Sequence, residues 1–408
     1  MLNVYADGSF WPSIHNLFDV TDADVCPMPQ NHGAILRSEI SFAASARIDT
    51  DCASKIFASH SIPLLKENIM KTITSAVALS ALSLAVGNAS AAERPGLEHN
   101  VAKFLQSLEG GKTLDTMTPV EARAALAGAQ AAPGVALPAA DVSEKTIQVN
   151  GSDLKLTIVR PAGSKQETLP AFMYFHGGGW VLGDFPTHER LVRDLVAGSG
   201  AAAVFVNYSL SPEAGYGVAI EQGYAATKWV AEHGEEIKVD GKRLAVAGNS
   251  AGGNIAAAVA LMANEKGAPA LRSQVLLCPV TDANFDTPSY KEFANGYFLT
   301  KDLMVWFWDH YMTDVDARKQ IYASPLQATS EQLKGLPPTL IQTAEYDVLR
   351  DEAEAYGRKL DAAGVHVKSV RYNGMIHDFG LSNAFSHLPA PRSAIAQASQ
   401  ELKTNLGE

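Results

Sequence analysis

Cysteine is scarce in this chain, with only Cys26, Cys52 and Cys278 in 408 residues. Their spacing matches no zinc motif, so no metal site is expected, and Cys278, inside the apolar run SQVLLCPV, reads as core. Positive charge is also in short supply: 33 Lys and Arg stand against 44 Asp and Glu, for a net charge of −11. Without a basic run to track phosphates, nucleic acid is not expected as a partner. Membrane-length hydrophobic runs are missing too. The apolar stretch Ile73 to Val86 is too short to span a bilayer comfortably. Internal repeats and low-complexity tracts are likewise absent. What is present, 47% hydrophobic and 19% charged residues with 32 Gly and 20 Pro, is the composition of a globular protein with a large core.

Residues 70–91 read as a secretory signal peptide that sits in the wrong place. A Lys follows Met70, the apolar stretch comes next, and Ala89-Ser90-Ala91 offers a small-residue cleavage site. Residues 1–69 show neither periodicity nor motif, so they are expected to be an over-extended start outside the functional protein. The expected destination is the periplasm or the exterior, with no stable membrane insertion after cleavage. A chain cut after Ala91 keeps only Cys278 and so has no internal disulfide.

Residues 92–140 are expected to be helices and a connector, with Leu97, Val101, Phe104, Leu105 and Leu108 at helical spacing and an Ala-rich piece from Val120. Strands KTIQVN and LKLTIVR, joined at Asn150-Gly151, then make a hairpin. From there strands AFMYF, AAVFVNY, RLAVAG, QVLLCPV, PPTLIQTA and VHVKSVRY alternate with helices from His188, Ala219, Ala251, Asp351 and Ala390. Such alternation predicts an α/β fold over 141–408, a mostly parallel sheet with helices on both faces. An aromatic-rich insertion at about 282–325, containing Phe285, Tyr290, Phe298, Trp306, Phe307, Trp308 and Tyr311, is expected to form a lid at the strand ends.

Four motifs carry chemistry. Gly248-Asn249-Ser250-Ala251-Gly252 is a G-x-S-x-G nucleophile elbow between an apolar strand and an Ala-rich helix. A serine hydroxyl needs a base, and the base an orienting acid. Asp347, just past strand TLIQTA, and His377, just past VKSVRY, follow in the order Ser, Asp, His, with Glu345 and Asp351 as rivals for the acid. An unperturbed histidine base implies activity that falls on acidification through roughly pH 6 to 7. HGGGW explains itself against this background. Acyl transfer makes an oxyanion that needs backbone N–H groups about 3 Å away, and residues without side chains let backbone approach that closely. Gly177, Gly178 and Ala251 are the expected donors, with Gly179 as a substitute for one of them.

HGGGW, GNSAGG, AEYDVLRDE and GMIHDFG together resemble the hormone-sensitive-lipase-like family of α/β-hydrolases, the bacterial family IV carboxylesterases, over roughly residues 145 to 405. The resemblance implies an α/β-hydrolase fold with a helical cap and a triad of Ser250, Asp347 and His377. It also implies an oxyanion loop at 176–179, and a cap made of 97–130 and 282–325. Near these motifs, Trp180, Tyr208, Asn249 and Phe298 are expected to line the substrate pocket. The sequence departs from the family pattern at Asn249, usually Asp, at Val348, usually Pro, and at Ser209, where Arg is frequent and a supporting ion pair is therefore expected to be missing. The implied activity is hydrolysis of short-to-medium acyl esters without a cofactor, through an acyl-enzyme. An amidase or deacetylase would use the same triad, and a non-catalytic relative would have lost its base or nucleophile. Small esters are the expected partners, and a homodimer is left open.

Overall fold

The computed structural model describes residues 96–131 and 134–407. The start and signal readings of 1–69 and 70–91 fall outside the described residues. The sheet opens with β1, Ala140–Val149, and β2, Ser152–Pro161, in the expected hairpin. Asn150 and Gly151 take φ of 51° and 79°, the pair of positive values that a two-residue turn matching the strand twist requires.

Six parallel strands follow: β3 Leu169–Phe175, β4 Ala202–Val206, β5 Val239–Asn249, β6 Gln274–Leu277, β7 Thr339–Tyr346 and β8 Val367–Ile376. Their order across the sheet is β1-β2-β4-β3-β5-β6-β7-β8, with β2 antiparallel to both of its neighbours. Alternation along β3 shows why two layers of helix are needed. Met173 and Phe175 face one core with α4, Val218–His233, α5, Ala251–Lys266, and α9, Arg350–Ala362. Phe172 and Tyr174 face the other with α3, Phe185–Ser199, and α10, Pro389–Gly407. Helix α3 opens at Phe185, ahead of the expected His188, because Asp184 and Thr187 form a capping box and Pro186 sits in the first turn.

The N-terminal helices are α1, His99–Leu108, and α2, Pro119–Gln130, the latter started by a Thr118–Glu121 capping box. The 282–325 insertion holds α6, Pro288–Glu292, and α7, Lys301–Tyr311; α8, Ser330–Leu333, precedes β7. Tyr290, Phe293, Phe307, Trp308 and Tyr311 are buried, so much of this aromatic content is the insertion's own core. Among the described residues no helix is long and apolar enough to cross a membrane.

Candidate active site

The turn from β5 into α5 forces Ser250 to φ 53°, ψ −122°, outside the ordinary regions for a residue with a side chain. Its N–H donates to the Leu277 carbonyl at 2.8 Å, and its carbonyl accepts from Asn254 and Val280. A Cβ on Gly252 would overlap the Phe175 carbonyl, so glycine there lets α5 reach the end of β3.

Loops at the C-terminal ends of β7 and β8 bring the other two residues to this serine. His377 Nε2 lies 2.9 Å from Ser250 Oγ, and His377 Nδ1 lies 2.7 Å from Asp347 Oδ2. Asp347 Oδ1 accepts the Leu349 N–H at 2.9 Å, which fixes the carboxylate's orientation. All three are buried. The rival acids are engaged elsewhere: Glu345 accepts from the Gly374 N–H, and Asp351 from the Ser289 N–H and Arg350.

Burial opposes a charge on His377, but the Asp347 and Asp378 carboxylates outweigh it and push its pKa up to about 9. The acidic limb of the rate profile is accordingly expected above the window of pH 6 to 7 that an unperturbed histidine would give. Among the described residues, the cluster with metal-ligating potential is Cys278, Asp347 and His377, with ligand atoms within 4.8 Å of one another. Asp347 and His377 already bond to each other in it. Burial, reinforced by Asp347 and Asp378, pushes the Cys278 thiol far up and keeps it protonated.

The glycine loop corrects one donor. The Gly177 N–H is taken, donating to Asn249 Oδ1 at 3.0 Å and approaching His188 Nε2 at 3.2 Å. The N–H groups of Gly178, Gly179 and Ala251 have no acceptor among the described residues. Gly178 sits at φ 104°, which a side chain would strain, and Gly179 lies directly beneath the Phe307 ring of α7.

Three of the four expected pocket residues serve other ends. Asn249 turns away from the serine: its Oδ1 also accepts the Tyr174 hydroxyl at 2.9 Å, and its Nδ2 donates to Asp378 Oδ2 at 3.0 Å. Trp180 is fully buried, its ring stacked 4.1 Å from Tyr311. Tyr208, also buried, stacks on His176 at 4.2 Å and donates to the His176 carbonyl at 2.8 Å. That ring braces the glycine loop. Phe298 is exposed and packs against Phe104 of α1, 5.9 Å between ring centres.

Sequence reasoning missed Arg123 of α2. Its guanidinium pairs with both Glu213 oxygens at 2.8 and 2.7 Å, and donates to the Val181 carbonyl at 2.7 Å and the Ser211 carbonyl at 3.0 Å. Ser209 itself makes no ion pair and bonds Gln222 instead. Nothing in the Ala-rich sequence of α2 marks Arg123 for this role. At Val348 the departure is absorbed quietly: the residue is buried, and its carbonyl accepts the Ser289 hydroxyl at 2.6 Å.

The family model for the alpha/beta hydrolase fold matches residues 172–381, which spans the elbow, the glycine loop and the His377 loop. The chain belongs to the α/β-hydrolases, in their hormone-sensitive-lipase-like branch. A thermostable esterase from Pseudomonas putida of known structure is 65% identical, with a TM-score of 0.75, and the match covers 77% of this chain and 98% of that one. An esterase from Rhizomucor miehei is 42% identical with a TM-score of 0.73, covering 76% and 97%. Carboxylesterase NlhH of Mycobacterium tuberculosis is 36% identical over 272 residues, 66% of this chain and 84% of that protein. With these relatives, the α/β-hydrolase is an ester hydrolase of the carboxylesterase class.

Proposed function

We propose that this carboxylesterase cleaves short-to-medium acyl esters through Ser250, His377 and Asp347, by way of an acyl-enzyme. The observation that carries this reading is the continuous chain Ser250 Oγ to His377 Nε2 at 2.9 Å and His377 Nδ1 to Asp347 at 2.7 Å. Ser250 Oγ attacks the ester carbonyl carbon while its proton passes to His377 Nε2, and Asp347 holds the imidazolium that forms. The carbonyl oxygen becomes an oxyanion facing the N–H groups of Gly178, Gly179 and Ala251. Collapse expels the alcohol, which takes the proton from His377. Water, deprotonated by the same imidazole, then attacks the acyl-Ser250 ester and releases the acid and the free serine.

The substrate range follows from α7. Phe307 lies on Gly179, so bulk stands directly beside the proposed oxyanion donors and should close the acyl pocket early. The test of the whole reading is fluorophosphonate labelling with mapping of the modified peptide, alongside Ser250→Ala. The label is expected on Ser250, with hydrolysis abolished in the variant and the fold retained. Activity in Ser250→Ala within tenfold of wild type would overturn the mechanism. Export is part of the same proposal, supported by the signal-like pattern at 70–91.

A further inference from the structure

Asp378, the residue after the imidazole, occupies an unusual place. It holds φ 54°, a left-handed conformation that favours glycine, and its side chain is only 12% exposed. Its Oδ2 lies 3.7 Å from His377 Nε2, the nitrogen that faces Ser250, and accepts the Asn249 amide at 3.0 Å. Asn249 in turn accepts the Gly177 N–H and the Tyr174 hydroxyl. One buried path therefore runs from the imidazole's reacting side, past the nucleophile's neighbour, to the glycine loop.

We propose that Asp378 is a positioning residue that acts through His377: its carboxylate holds the imidazolium form from the Nε2 side and sets the enzyme's working pH, while its bond to Asn249 ties that control to the glycine loop. The proposal rests on the reading of Ser250, His377 and Asp347 as the triad. The groups facing the ring are Asp347 at Nδ1, Asp378 near Nε2, the protonated Cys278 thiol and Ser250. Asp347 alone is the partner a triad needs. Asp378 adds a second negative charge beside the atom that must accept a proton from Ser250 and later return it. A carboxylate there strengthens the base and delays its deprotonation as pH rises, so the acidic limb of the rate profile moves toward alkaline pH. Burial raises the pKa of Asp378 itself, while His377 and the Asn249 bond pull it back.

The experiment uses Asp378→Asn, whose amide oxygen still accepts from Asn249 while the charge is lost. In kcat/KM for a nitrophenyl ester across pH 5 to 10, the acidic midpoint is expected to fall by about one pH unit, a tenfold gain in neutral imidazole on the acid side. A second variant keeps every bond and moves the charge: Asn249→Asp with Asp378→Asn leaves an acceptor for Gly177 and Tyr174 and a donor pointing back. This swap removes the charge beside Nε2 and should lower the midpoint as well. A merely structural role would lower the rate at every pH and leave the midpoint in place, and an unmoved or raised midpoint in either active variant overturns the proposal. Ser250→Ala run in parallel separates the two failures. If it still hydrolyses and labels, the triad reading falls and this proposal with it; if it is dead while the midpoints stand still, this proposal alone falls.

Discussion

At the scale of single residues, chemistry was far more legible than its support. Ser250, Asp347 and His377 could be found because a triad needs three residue types in a fixed order at strand ends, and order is a property of sequence. Asn249 could not be placed in the same way. An amide beside a nucleophile reads equally well as facing substrate or facing core, and only the distances to Tyr174, Gly177 and Asp378 show that it faces core. The same holds for Gly177, whose N–H looked free in a run of three glycines until its acceptor was seen. These assignments separate the glycines experimentally. Gly178→Ala adds a side chain at φ 104° against Leu182 and should move a proposed oxyanion donor, with kcat expected to fall by about 10²- to 10³-fold and KM changing little. Steady-state kinetics with a circular-dichroism check of the fold decides it, and a kcat within fivefold of wild type would remove Gly178 from the oxyanion site.

At the scale of elements, two helices that the alternating pattern treats as accessories hold the site's walls. Helix α2 reaches the glycine loop through Arg123, which grips Glu213 and the carbonyls of Val181 and Ser211 from a distance in sequence that no local motif encodes. Arg123→Ala leaves those carbonyls without their donor; hydrogen bonds to a charged group contribute about 1.5–3 kcal/mol each before the exposed part of the pair is discounted. The melting temperature should therefore drop by several degrees, and kcat should fall with it as the loop loosens. Arg123→Lys should recover only part, since one ammonium cannot replace the planar fork. Equal melting curves for all three proteins would show that α2 is not the brace. Helix α7 meets the glycine loop from its own side, with Phe307 lying on Gly179. The aromatic count of the insertion was visible in sequence, but which ring lies on Gly179 was not, because helical spacing puts Trp306, Phe307 and Trp308 on three different sides. Phe307→Ala should cost about 3–5 kcal/mol in stability through the cavity it leaves. It should also shift the optimum of kcat/KM to longer acyl chains in a nitrophenyl ester series from acetate to palmitate. An unchanged optimum would mean that the acyl group lies elsewhere.

At the scale of the molecule, the strands were legible because their hydrophobic runs are bounded by turn residues, whereas their order was not. Nothing local tells β3 to insert between β4 and β5; that follows from right-handed crossovers through α3 and α4 on opposite faces, a constraint on the chain as a whole. The same view decides how much chain the enzyme needs. Glu98 caps α1 and its N–H donates to the Gly374 carbonyl at 3.0 Å, just ahead of His377, while Phe104 meets Phe385 edge to face with ring centres 5.0 Å apart. Helix α1 is thus joined to the loop that carries the base. A chain starting at Ala92 keeps all of these contacts and should fold and hydrolyse esters as well as the full-length protein does. A chain starting after Leu108 loses the cap, the Val101 and Leu105 core contacts and the anchor on Gly374, and should show lower thermal stability and at least tenfold lower kcat/KM. N-terminal sequencing of protein exported by its host should find a start at or near Ala92. Recovery of a chain beginning at Met1, or loss of activity on removing residues 1–91, would make the preceding segment part of the working enzyme and sink the reading of 70–91 as a cleaved signal.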